Sequence, residues 1–80
     1  MTPGSDTADI EINDTDRAIL RHLAAGRETR ASIADAVDKH ENYISDRLKL
    51  LRLQGYVSYY HKPSALYQIT ESGREQVEKK

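Results

Sequence analysis

The order of segments between residues 30 and 70 constrains this chain more than anything else in it. Ile33, Ala34 and Val37 mark a short apolar helix, Asp38-Lys39-His40-Glu41 interrupts it, and a second, more basic apolar stretch runs to about Gln54. Gly55 stops that stretch, and two tyrosine-rich runs of alternating character follow on either side of Lys62-Pro63-Ser64. Helix, tight turn, helix and hairpin in that order predict a mainly α fold with a small β-hairpin. Such an arrangement can lay a helix in a DNA groove and a basic loop on the backbone beside it.

Eighty residues make one small domain, and a chain this short buries only a modest fraction of its surface. Its stability is marginal unless helped, and dimerisation is one form of help. With no cysteine there is neither a disulfide framework nor a thiolate metal cluster, which fits an intracellular protein. The start, Met1-Thr2-Pro3-Gly4-Ser5-Asp6, has no basic segment followed by an apolar run, and nothing later approaches a membrane span. A cytoplasmic location without a membrane partner is therefore expected.

The net charge of −1 conceals an uneven distribution. Residues 1–16 carry five acids and no base, giving −5, whereas residues 17–62 carry nine bases against five acids, giving +4. Residues 63–80 balance at three and three. The positive charge thus coincides with the helix–turn–helix and hairpin segments, as a nucleic-acid footprint would, although a solvated mixed-charge surface with an acidic tail would look the same.

Residues 1–9 have too little apolar side chain to offset the entropy of ordering and read as a disordered acidic arm, leaving 10–80 as the domain. Ile10 and Ile12 alternate as in a short strand or lid. Asp14 is the expected cap of a first helix in which Ile19, Leu20 and Leu23 recur at helical spacing until Gly26. Thr29 or Ser32 caps the second helix, which begins near Arg30. Asp38 and Glu41 have the spacing of a capping box for the third. Ile44, Leu48 and Leu51 fall in one narrow stripe of that third helix and should face the core, with Asn42, Asp46 and Lys49 opposite.

Tyr56 to Tyr60 and Ala65 to Ile69 read as paired strands, with Val57, Tyr59, Tyr67 and Ile69 inward and Pro63 in the turn. Thr70 caps a last short helix anchored by Val77. Leu50 and Leu53 lie off the core stripe. Either the hairpin or the Ile10-Ile12 segment covers them, or they belong to a dimer contact.

The stretches Ile33-Ala34-Asp35-Ala36-Val37, Ile44-Ser45-Asp46-Arg47-Leu48-Lys49-Leu50-Leu51, Gln54-Gly55-Tyr56-Val57 and Tyr67-Gln68-Ile69-Thr70-Glu71-Ser72-Gly73 together resemble winged helix-turn-helix transcription regulators over roughly residues 14–77. The resemblance implies a three-helix core, a wing and a short C-terminal helix. It also implies that the small residue at Ala34 lets two helices approach and that Ile44 pins the recognition helix. The acid-rich start and the Tyr-Ile-Ser-Asp-Arg-Leu helix are similar to small repressor-like proteins of halophilic archaea and their viruses. Asp38 and Lys39 depart from the pattern, standing where a glycine and an apolar residue are common, which predicts a wider turn; Asp38 tolerates a left-handed backbone better than most residues.

Base readout needs paired donors and acceptors on the exposed N-terminal part of a groove-inserted helix. Asn42 suits adenine, Arg47 or Lys49 suits guanine or phosphate, and Tyr43 and Ser45 suit phosphate or a thymine methyl. Arg47 lies nearer the core stripe than Asn42 and has a structural alternative, snorkelling along the helix or pairing locally. Asp46 either accepts from a cytosine amino group or tunes affinity down, and the second is favoured because acid-to-cytosine contacts are the rarer pairing. Arg30 and Ser32 stand at a helix N-terminus, placed for a phosphate. Tyr60, His61 and Lys62 belong to the wing, and His61 at the loop tip would make affinity pH-dependent.

His22, His40 and His61 are too far apart for a local metal site. No phosphate loop, HExxH pattern or nucleophile signature is present, so no catalysis, cofactor, metal or small-molecule ligand is expected. The pattern predicts a sequence-specific double-stranded DNA-binding regulator acting as a steric repressor, with the helix at about 41–54 in the major groove and the wing at about 60–64 on the backbone. So few bases call for two copies, hence a homodimer on a two-fold site. The alternative is a winged-helix module that docks a protein instead of DNA.

Overall fold

A computed structural model of the protein describes residues 12–78. The order is α1 (Asp14–Ala25), β1 (Glu28–Thr29), α2 (Arg30–Val37), α3 (Glu41–Leu53), β2 (Val57–His61), β3 (Leu66–Ile69) and α4 (Glu71–Glu78), with a 3-10 turn at Lys62–Ser64. Three antiparallel strands in the order β1-β3-β2 lie against the helices. This is the winged helix-turn-helix architecture, with β2 and β3 as the wing. The expected arm over residues 1–9 and Ile10 lie outside the described residues, and Ile12 is half-buried but in no strand.

α1 is capped one residue earlier than Asp14. Asn13 Oδ1 accepts from the Asp16 backbone N–H at 2.7 Å, and Asp16 Oδ2 accepts from the Asn13 backbone N–H at 3.1 Å. This reciprocal box satisfies two otherwise orphaned donors, and only Asn13 has an acid three residues on. Thr29 caps α2, its hydroxyl accepting from the Ser32 backbone N–H at 3.2 Å.

The anticipated Asp38–Glu41 capping box does not form. Asp38 instead ends α2 in the left-handed region (φ 59°, ψ 50°), with its own N–H bonded to the Asp35 carbonyl and that of Lys39 to the Ala34 carbonyl. That is the double closure usually made by glycine. The turn is therefore only three residues, 38–40, and is not widened. The α3 cap falls to His40, whose Nδ1 accepts from the Asn42 backbone N–H at 3.1 Å.

Ile44, Leu48 and Leu51 are fully buried, joined by Ile19, Leu20, Leu23 and Ile33. Ala34 is 6% exposed, the small residue that allows α2 and α3 to approach. Gly55 (φ 83°) closes α3, the N–H groups of Gly55 and Tyr56 reaching the Arg52 and Leu51 carbonyls.

In the wing, Val57 pairs with Ile69 and Tyr59 with Tyr67, and a bulge shifts register so that His61 faces Leu66. Ala65 was read as the start of the second strand. It sits in the turn at φ 52°, because the bulge and the Lys62-Pro63-Ser64 turn use one residue more than a plain alternation. Val57 and Tyr67 are buried as expected, whereas Tyr59 is only partly so. β1 has no signal in the sequence: it is two residues long and exists through pairing of Glu28 with Tyr67 and Thr29 with Leu66. Leu53 is 70% exposed, so the hairpin does not cover it.

Thr70 ties α4 to the end of α3. Its hydroxyl donates to the Gly55 carbonyl at 2.5 Å and accepts from the Gly73 N–H at 3.0 Å. Gly73 is buried so closely that a Cβ there would stand 2.1 Å from the Tyr56 carbonyl oxygen and 2.9 Å from Ile69 Cγ1. Alanine favours a helix over glycine by about 1 kcal/mol, but forced overpacking costs about 1–3 kcal/mol, sometimes more. Gly73→Ala is therefore expected to lower the melting temperature. An unchanged or raised melting temperature would show that α4 does not pack this closely on Tyr56.

Candidate nucleic-acid interface

With its apolar stripe buried, α3 turns Asn42, Asp46 and Lys49 outward, all three exposed, with Leu53 at the end of the same face. Residues at i, i+4 and i+7 share a helix face, so this polar stripe is a direct consequence of the position of the core stripe. Lys49 makes no ion pair among the described residues. Asp46 stands between Asn42 and Lys49 on this face, an acid that opposes a polyanion.

The two flanks of α3 are held differently. On one, the Arg47 guanidinium grips Asp16 of α1 through Nε at 2.9 Å and Nη2 at 2.6 Å, and the Tyr43 hydroxyl accepts from Asn13 Nδ2 at 3.2 Å. The Asp16 side chain is wholly buried and that of Arg47 is 18% exposed. The hydrogen bond to Asp16, opposed by burial, holds the Arg47 pKa above its ordinary value. Arg47 was expected to touch DNA; its charge is instead spent inside the molecule, since a buried carboxylate needs a paired, hydrogen-bonded cation.

On the other flank, Arg30 Nε bonds Glu41 Oε2 at 3.0 Å, with both side chains well exposed. Ser32 donates to Glu28 Oε1 at 2.7 Å. Ser45 is half-buried there, and the Arg52 guanidinium carbon lies 4.8 Å from the Tyr59 ring centroid.

At the wing, Tyr60 is 52% exposed with the Arg27 guanidinium 3.9 Å above its ring. His61 Nδ1 is 2.8 Å from the Ser64 hydroxyl, and Lys62 is exposed. The structure thus brings Asn42, Asp46 and Lys49 onto one surface, flanked by Arg30, Ser45 and Lys62, and takes Arg47 out of it. Sequence reasoning missed Arg27, Arg52 and Tyr59. For Arg52 the available signal was its seven-residue spacing from Ser45, which puts both on one flank.

Among the described residues, no group of three or more His, Asp or Glu side chains comes together to hold a metal ion. No described helix is long and apolar enough to cross a membrane. No protein-family model matches the sequence, and no curated protein matches it. Among solved structures, a mutant of Lactococcus lactis ZitR is similar, with a TM-score of 0.71, 25% sequence identity and coverage of 94% of this chain and 54% of that one. The chain therefore spans about half the length of that protein. With nearly all of this chain covered, the likeness extends over the helix–turn–helix and the wing and supports the winged-helix fold.

Proposed function

We propose that the protein is a sequence-specific double-stranded DNA-binding regulator that inserts α3 into the major groove and sets the wing on the flanking backbone. The observation that carries this reading is the polar outward face of α3, on a helix whose opposite stripe is fully buried and whose flanks are fastened to α1 and the wing. Asn42 is placed to read adenine, and Lys49 guanine or phosphate. Tyr43 and Ser45 contribute backbone or methyl contacts, and Asp46 tunes the affinity down. Arg30, Ser32, Tyr60, His61 and Lys62 flank them toward the backbone. Two copies on a two-fold site would supply the contacts that one lightly charged domain lacks, and an occupied operator would exclude polymerase. A repressor agrees with the resemblance to small haloarchaeal and viral repressor-like proteins.

Titration against random duplex DNA at several salt concentrations tests the class of partner. Affinity is expected to fall steeply as salt rises. Lys49→Ala should weaken binding by about 1 kcal/mol with the melting curve unchanged, and sedimentation of the complex should give two protein chains per site. Binding that is absent or indifferent to salt would favour the protein-docking reading, for which the exposed Leu53 on the same face is the specific support.

A further inference from the structure

The back of α1 carries an open groove. Ala18, Arg21, His22 and Ala25 of α1 and Ala36 and Val37 of α2 enclose a space of about 430 Å³. Its walls are mostly aliphatic and its α1 rim is basic. Arg17 and Arg21 are exposed and make no ion pair among the described residues, whereas His22 already faces Glu28, Nε2 to Oε2 at 3.7 Å. Asp16 and Ala18 project from α1 about 200° apart. Asp16 meets Arg47 of α3, so the groove opens on the side of α1 away from α3.

The chain that leads into α1 has the composition to fill this groove. Ala8, Ile10 and Ile12 alternate with Asp9 and Glu11, so an extended segment has one apolar and one acidic edge. Ile12, half-buried, is the first described residue and stands just before α1. Doubling back from it at about 3.3 Å per residue, against a helix rise of about 1.5 Å, the two residues to Ile10 cover about 7 Å and bring it level with Ala18. The four residues to Ala8 cover about 13 Å and bring it level with His22. Glu11 then comes within a turn of Arg17, and Asp9 within a turn of Arg21. Asp35 and Asp38 of α2, both exposed, hold these acids to the α1 rim by like-charge repulsion.

We propose that residues 8–12 lie antiparallel to α1 in this groove, with Ile10 seated between Ala18 and Val37, and with Glu11 and Asp9 paired with Arg17 and Arg21. The segment clips α1 to α2 from behind, and removal of Ile10 from water favours the docked state. A tethered segment meets the groove at an effective concentration of about millimolar, an advantage that a second copy of the chain lacks. Because the groove faces away from α3, the docked acids stay off the outward face of α3 and leave it open to a polyanion.

The chain has no cysteine, so an introduced pair reports the contact. Full-length protein carrying Ala8→Cys with Ala25→Cys should close a disulfide within the monomer about tenfold faster than protein carrying Ala8→Cys with Leu53→Cys, since a disulfide needs Cα atoms within about 7 Å. Leu53 is exposed on the outward face of α3 and serves as the control site. Ile10→Ser should lower the melting temperature by about 4–8 °C, the shift for one modest contact in a domain of this size. Arg21→Gln should lower it less, with the difference vanishing in high salt. Equal disulfide rates for the two pairs, or Ile10→Ser melting with wild type, would overturn the docking. Disulfide-linked dimers in place of closed monomers would overturn it as well, by assigning the groove to a second copy.

Discussion

Asp16→Ala is expected to destabilise the protein by about 3–5 kcal/mol, the range for removing one partner of a buried ion pair. Asp16 is fully buried and takes both hydrogen bonds of the Arg47 fork. Without it, the Arg47 charge is left largely out of water with nothing to balance it. The same substitution removes the Asp16 half of the α1 capping box. An 80-residue domain has a total stability of only about 4–12 kcal/mol at the usual 0.05–0.15 per residue, so the variant should be partly unfolded at room temperature.

Urea denaturation measures this, and a loss below about 1 kcal/mol would mean that solvent screens the pair as it does surface ion pairs. Asp16→Leu combined with Arg47→Met separates charge from packing. Replacing a buried pair with apolar residues of similar volume is often neutral, so the double variant should recover most of what Asp16→Ala loses. It should also hold α3 less strictly in angle, which random-duplex binding would report.

Leu48→Ala should cost about 2–5 kcal/mol, the range for emptying a buried leucine site. Leu48 is fully buried between Ile44 and Leu51 on the stripe that turns Asn42 and Lys49 outward. Its truncation leaves a cavity at the centre of the α1–α2–α3 contact, where close-packed neighbours relax only in part. The denaturation midpoint should fall with the slope unchanged, the signature of lost stability without a change in exposed surface. A Leu48→Ala variant melting with wild type would place α3 in a different rotation, and the outward face assigned to Asn42, Asp46 and Lys49 would have to be redrawn with it.

Both predictions concern the orientation of one helix, and they draw on different kinds of information. The rotation of α3 was legible in the sequence because the spacing of Ile44, Leu48 and Leu51 is a local property: 100° per residue turns a list of apolar positions into a face. Gly55 as a stop, Pro63 in a turn and the alternation of Val57 with Tyr59 are local in the same way, each set by backbone geometry within a few residues. The polar face proposed to meet DNA follows from these, so Asn42, Asp46 and Lys49 were found without tertiary information.

The role of Arg47 was not legible, because its partner lies 31 residues away. On the helical wheel Arg47 sits at the border of the core stripe, where a cation can snorkel outward or turn in. Only the approach of α1, which delivers a buried carboxylate, decides between them. Local cap chemistry was similarly degenerate: Asn13, Asp14, Thr29, Ser32 and Asp38 all had acceptable side chains, and the choice fell to whichever backbone N–H groups the packed helices left unpaired. β1 shows the same limit, since two residues carry no periodicity and Glu28 and Thr29 become a strand only when β3 is laid beside them. Periodicity alone determined which surfaces are apolar and which are polar. The meeting of distant elements decided which charges are used up inside the molecule and which, like Lys49 and Lys62, stay exposed at its surface.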